Sequence, residues 1–149
     1  MNQPHTIDND ILIGEICLHL SQGKRVKLRA KGNSMRPFIH SHEDILLLAP
    51  SDILRKGDVV LARIDGKRYV IHRIIGLRGD RITLMGDGNL FATEECSRSD
   101  IYGIVESVIR DHNVYHTGSL KERISVMAWR SLLPLRRLKV KITKKIKQK

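Results

Sequence analysis

The chain has 149 residues, 41% of them hydrophobic and 29% charged, which fits one ordinary domain and excludes a disordered tail protein or a fibrous repeat. No apolar run reaches the roughly 18 residues that cross a bilayer, and MNQPHTIDND lacks the basic-then-apolar order of a leader, so a cytoplasmic location is expected. The net charge of +11 is confined to one end: residues 121–149 carry 11 Lys and Arg against Glu122 alone, whereas 16 Lys and Arg nearly balance 15 acids before them.

In chain order, Asn9 to Ser21 reads as a short amphipathic helix, with Asp8 or Asp10 as N-cap and Gly23 past its end. Cys17 lies in it; Cys96, the second cysteine, shares no CxxC spacing with it, so both read as buried or incidental thiols. Arg25 to Ala30 alternates polar and apolar residues like a half-buried strand and runs into the turn Gly32-Asn-Ser-Met-Arg-Pro37. Further strands are expected at Ile45–Leu48, Val59–Ile64, Tyr69–Ile75, Ile82–Met85 and Ile101–Ile109, with Asp65-Gly66 marking a hairpin. Short strands separated by Gly and Asp predict a mainly β fold, a curled antiparallel sheet or partial barrel. Three segments follow: an N-terminal helix over 1–24, a β core over 25–110 and a basic amphipathic helix over 111–149.

That last helix places Ile124, Met127, Ala128, Leu132, Leu135, Leu138, Ile142 and Ile146 at helical spacing among cations, and Pro134 bends or interrupts it. It suits an anionic membrane surface with Trp129 near the headgroups; packing of Ile124 to Leu138 on the body is the alternative. Nucleic acid is the least suited partner, because only 4% of the chain is aromatic and the tail offers little but Trp129 for stacking.

Three positions could carry chemistry. Ser34 stands in a turn whose neighbours present its hydroxyl, but a nucleophile needs a base and oxyanion donors. His72 is the one neutral titratable side chain in an otherwise apolar strand segment, where a buried imidazole needs a partner. Asp87, in Met-Gly-Asp-Gly-Asn, or one of the pair Glu94-Glu95 could orient that imidazole. The other histidines, His5, His19, His40, His42, His112 and His116, show no convincing metal-ligand spacing, so neither a metal nor a cofactor is expected.

In order, GNSMRPFI, KGDVVLARI, YVIHRIIGLRGDRI, LMGDGN and IYGIV resemble the boxes of the signal peptidase and LexA-type serine peptidase superfamily, over about Val26 to Val108. The resemblance implies that catalytic core fold, with Ser34 as nucleophile, Met35 beside it, Pro37 shaping the turn, and Met35 and Pro37 contacting substrate. His72 falls where bacterial type I signal peptidases have a catalytic lysine and the endoplasmic-reticulum type has histidine, which implies a Ser-His member. Lys67 and Arg68 do not match the lysine position, and Arg73 is expected on the opposite face of the strand from His72. For the acid, Asp87 is the first choice and Glu94 the second. The implied function is a serine endopeptidase cutting a peptide or leader segment, with the backbone N–H of Ser34 in the oxyanion hole and the tail in place of the usual membrane anchor. The alternatives are a non-catalytic peptide-binding module of the same fold and a basic-tailed, nucleic-acid-associated regulator.

Overall fold

The computed structural model describes residues 6–147 of the chain, and side chains from residue 11 onward. His5 lies outside them. Helix α1 (Thr6–Ser21) begins earlier than the sequence pattern suggests, so Asp8 and Asp10 lie inside it and neither caps it; Gly23 follows its end with φ of 80°.

The strands are β1 (Val26–Arg29), β2 (Ile45–Ala49), β3 (Val59–Ile64), β4 (Arg68–Arg78), β5 (Arg81–Met85), β6 (Glu94–Ser97), β7 (Ile101–Arg110) and β8 (Asn113–His116). Every pairing is antiparallel, and the sheet runs β1-β2-β7-β3-β4-β5-β6. Along one side of β7, β3 occupies the first half and β8 the second, opposite β2. The result is a mainly β, curled half-barrel. Asp65 and Gly66 both have positive φ, 52° and 62°, the geometry of the tight β3–β4 hairpin.

Curling buries β3 on both faces, which is why Val59-Val-Leu-Ala62 is continuously apolar. Val59 and Leu61 join one core with Ile16, Leu20, Met35, Leu46, Leu48 and Val105; Val60, Ala62 and Ile64 join a second with Ile74, Ile82 and Leu84. Helix α1 closes the first core, and Gly103 admits it: a Cβ there would lie 2.8 Å from the Ala49 carbonyl and 3.2 Å from Leu20.

Two strands escape the sequence pattern. Strand β6 is the polar Glu-Glu-Cys-Ser, held by its pairing with β5, and β8 is exposed along its length after a turn in which Asp111 and His112 take positive φ without glycine.

The basic segment forms two helices, α2 (Leu120–Ser131) and α3 (Leu133–Lys147), with Pro134 in the first turn of the second. The segment from Ile124 to Leu138 does pack on the body, but through Val126, Trp129, Leu133, Arg136 and Arg137 rather than through the aliphatic stripe. Ile124, Met127, Leu132, Leu135 and Leu138 are all exposed, and Val126 is the buried contact. Trp129 points the other way from the exposed face, its indole N–H donating to the Asp87 carbonyl at 2.7 Å, so it is not placed for headgroups. Among the described residues no helix is long and apolar enough to cross a membrane.

An ion pair with a buried carboxylate and a partly exposed guanidinium ties the turn before β2 to the end of β7: Arg110 Nε and Nη2 donate to Asp44 at 2.6 and 2.7 Å, and the His40 N–H donates to the same carboxylate at 2.7 Å. Burial alone would raise the Asp44 pKa, but these bonds outweigh it and hold the carboxyl below its ordinary value. Stability from such a depressed group is present above the unfolded pKa and is lost as pH falls through the folded one. Asp44→Asn is therefore expected to cost about 2 kcal/mol near neutrality, since Arg110 is left with access to water. It should also flatten the acid-side fall in stability, as read by denaturant titrations at neutral and mildly acidic pH.

Candidate active site

Ser34 sits in a single turn after β1. The Phe38 and Ile39 N–H groups donate to the Met35 carbonyl at 3.1 and 3.0 Å, and the Arg36 N–H to the Asn33 carbonyl at 3.2 Å. This helical spacing turns Met35 and Ile39 into the core and Pro37 outward. Met35 therefore borders the cleft beside Ser34, whereas Pro37 is exposed beyond the cleft lining.

The loop after β5 lies flush against Ser34. Gly88 N–H donates to the Ser34 carbonyl at 2.7 Å, and a Cβ on Gly86 would stand 2.5 Å from that same oxygen and 3.0 Å from the Ser34 Cβ. Glycine at position 86 is thus required by space.

His72 projects from β4, buried to 6% exposure. Its Nε2 lies 3.1 Å from Ser34 Oγ and its Nδ1 2.6 Å from Glu94 Oε2. An ionised carboxylate can only accept, so the Nδ1 proton faces Glu94 and Nε2 is left to accept from the serine hydroxyl. Glu94 opens β6, and its other oxygen accepts from Arg68 Nη2 at 3.0 Å. Arg68, four residues before His72 on the same strand, shares its face. The turn after β1, the middle of β4 and the start of β6 thus bring three side chains into one relay.

Asp87 is not part of it. Both of its oxygens accept from Arg73, Nε to Oδ1 and Nη2 to Oδ2, each at 2.8 Å, and both side chains are only 2% exposed. The choice of Asp87 over Glu94 as the group on His72 is therefore corrected. Arg73 follows His72 on β4 and points to the opposite face, as expected for adjacent strand residues, where a buried guanidinium demands an acid. Arg73 Nη1 also donates to the Gly57 carbonyl at 2.8 Å and to Glu122 of α2 at 2.9 Å. Burial works against its charge, but Asp87 and Glu122 keep the guanidinium firmly protonated.

The C-terminal helices grip the same loop. Besides Trp129, Arg136 Nη2 donates to the Asp87 carbonyl at 3.3 Å and Arg137 Nε to the Leu90 carbonyl at 2.7 Å. Sequence reasoning missed these contacts and the part of Arg68. The available signal was Arg73: a cation next to His72, on the opposite face of the strand, needs an acid of its own.

A cleft of about 790 Å³ opens beside Ser34 and His72. Its walls are mostly apolar: Ile13 and Ile16 from α1, Val26 and Leu28 of β1 with Ala30 just after it, Met35 and Ile39, and Tyr69 to Ile71 of β4, with Asn89, which like Ser34 packs against Gly86, in the lining as well. Among the described residues no group of His, Cys, Asp and Glu is arranged to hold a metal. Burial pushes both Cys17 and Cys96 up to about 11, so neither is a thiolate nucleophile near neutrality.

A protein-family model described as Peptidase S24-like matches residues 3–106, a span that contains Ser34, His72, Asp87 and Glu94. A search of curated proteins finds no match.

The two carboxylates should separate in stability measurements. Asp87→Asn leaves Arg73 buried and half-paired and is expected to cost about 3 to 5 kcal/mol. Glu94→Gln leaves a carboxamide of the same shape that can hydrogen-bond His72 Nδ1 and strands no buried charge, and should cost about 1 kcal/mol. Denaturant unfolding of both variants checks the order.

Proposed function

We propose, from the premise that the chain belongs to the Peptidase S24-like family, that it is a serine endopeptidase of the signal peptidase type worked by Ser34, His72 and Glu94. The observation that carries this reading is the pair of contacts on one imidazole, 3.1 Å to a serine hydroxyl and 2.6 Å to a carboxylate, the arrangement that lets a histidine accept a proton from the nucleophile.

In this mechanism Ser34 Oγ attacks the scissile carbonyl carbon while its proton passes to His72 Nε2. Glu94 holds the ring in the tautomer that accepts, and stabilises the imidazolium that forms. The tetrahedral oxyanion is held by the Ser34 backbone N–H, with the Asn89 carboxamide, which like Ser34 packs against Gly86, as the second donor. When the intermediate collapses, the carbon–nitrogen bond breaks and His72 returns its proton to the departing amine. A water then attacks the acyl-serine, again with His72 as base, releasing the acid product and restoring Ser34.

The substrate is an extended peptide. Strand β1 lies at the end of the sheet order, and β4 before Arg73 has no β5 partner. Both segments border the cleft, so main-chain bonds to them would hold a peptide while the apolar walls take its side chains.

Labelling by a serine-reactive fluorophosphonate, followed by intact mass, tests this. Wild type should gain one adduct, Ser34→Ala none, and His72→Ala should label at least about 100-fold more slowly. Glu94→Gln is expected to label about 10²- to 10³-fold more slowly, since it can hold the wrong tautomer. Labelling that persists in Ser34→Ala contradicts the proposal. So does a folded wild type that neither labels nor cleaves a peptide library, which would instead favour a non-catalytic peptide-binding module.

A further inference from the structure

Helix α3 has two faces of different chemistry. The inner one is fixed to the body: Leu133, Arg136, Arg137 and Val140 are partly buried, and the two arginines hold the carbonyls of Asp87 and Leu90. They also cover aromatic rings, Arg136 at 3.9 Å from the Trp129 centroid and Arg137 at 5.3 Å from that of Phe91. The outer face is aliphatic and uncovered, with Leu135 at 62%, Leu138 at 52%, Ile142 at 50% and Ile146 at 69% exposure. At 3.6 residues per turn these four fall within an arc of about 80°, on the side away from the inner residues, and Lys139 and Lys145 flank it about 20° to either side.

We propose that this outer face is an interfacial membrane anchor, the four aliphatic side chains entering the acyl boundary of an anionic lipid surface and the flanking lysines meeting its phosphates. Two properties of the stripe select that partner. Leaving it in water exposes four large aliphatic side chains in line, so its partner must be apolar. From Lys139 to Lys147 the helix carries five lysines and no acid, so its partner must also be anionic. A second copy of the helix supplies the apolar surface but brings the same positive charge. A nucleic acid supplies phosphates but nothing for Leu138 and Ile142 to enter. An anionic bilayer supplies both at the depth a single helix face reaches.

The anchor is bolted to the site. The inner face of α3 and Trp129 of α2 hold the 87–90 loop, and that loop backs Ser34 through Gly88. A lipid surface under the outer face would leave all of these contacts intact. The Ser34 cleft would then be held at a set height beside the bilayer, with no transmembrane segment needed. This inference concerns binding and stands whether or not Ser34 turns over a substrate.

The test uses the full chain. Co-sedimentation with phosphatidylcholine vesicles containing phosphatidylglycerol is compared with phosphatidylcholine alone, for wild type and for Leu138→Glu/Ile142→Glu. Both positions are solvent-exposed, so the variant should unfold at the same temperature as wild type, which is checked by circular dichroism. Wild type is expected to bind the anionic vesicles, to bind the neutral ones at least tenfold more weakly, and to lose at least tenfold in affinity in the double variant. A Leu138→Trp reporter should be quenched by brominated lipid more strongly than the native Trp129, which is docked on Asp87. Absence of binding by folded wild type overturns the proposal, as does equal binding by the double variant. A preference for duplex DNA over vesicles, or a dimer that buries the stripe and excludes vesicles, also overturns it.

Discussion

One buried guanidinium organises the functional end of the molecule. Arg73 is only 2% exposed, and an arginine in such a place must find partners for its charge and its donors or be expelled. Its partners come from three separate parts of the chain: Asp87 after β5, the Gly57 carbonyl before β3, and Glu122 at the start of α2. Meeting those demands folds the 86–89 loop back onto the strand, and the Gly88 N–H on that loop then takes the Ser34 carbonyl. The turn that carries Ser34 is thus located by a structural ion pair.

Strand β4 divides the two tasks by its pleat. His72 and Arg73 are neighbours in sequence, yet alternation sends them to opposite faces. One face meets Ser34 and Glu94; the other meets Asp87 and Glu122. Each acid therefore has its own cation or imidazole, and the carboxylate on His72 is free of the structural pairing that fixes Asp87. Arg68 adds a second support for Glu94 from the same face as His72, at the partly exposed mouth of the relay.

Much of this is legible in the amino-acid sequence, for physical reasons. The strand runs were readable because β1 alternates with period two and β3 is continuously apolar, and the Asp65-Gly66 turn has one favoured geometry. Strands β6 and β8 were not, since Glu-Glu-Cys-Ser and Asn-Val-Tyr-His hold their conformation through pairing alone. Ser34 and His72 are marked by the resemblance of GNSMRP and HRIIGLRGD to the family boxes, while their local surroundings alone leave both open. The acid is not settled this way, because choosing between Asp87 and Glu94 depends on which one Arg73 claims, a matter of strand faces and tertiary contact. The tail shows the same limit: helical spacing marked an aliphatic stripe correctly, but polar contacts of Glu122, Trp129, Arg136 and Arg137 decided that the opposite face would meet the body.

The most direct measurement of the proposed Ser34–His72–Glu94 relay is nitrogen-edited proton NMR of the His72 imidazole in labelled protein. A strongly downfield Nδ1 proton is expected near neutral pH, retained in Ser34→Ala and lost or moved far upfield in Glu94→Gln. An imidazole carrying its proton on Nε2, or an Nδ1 resonance indifferent to the loss of the Glu94 carboxylate, would contradict the assignment of Glu94 as the group that orients the base.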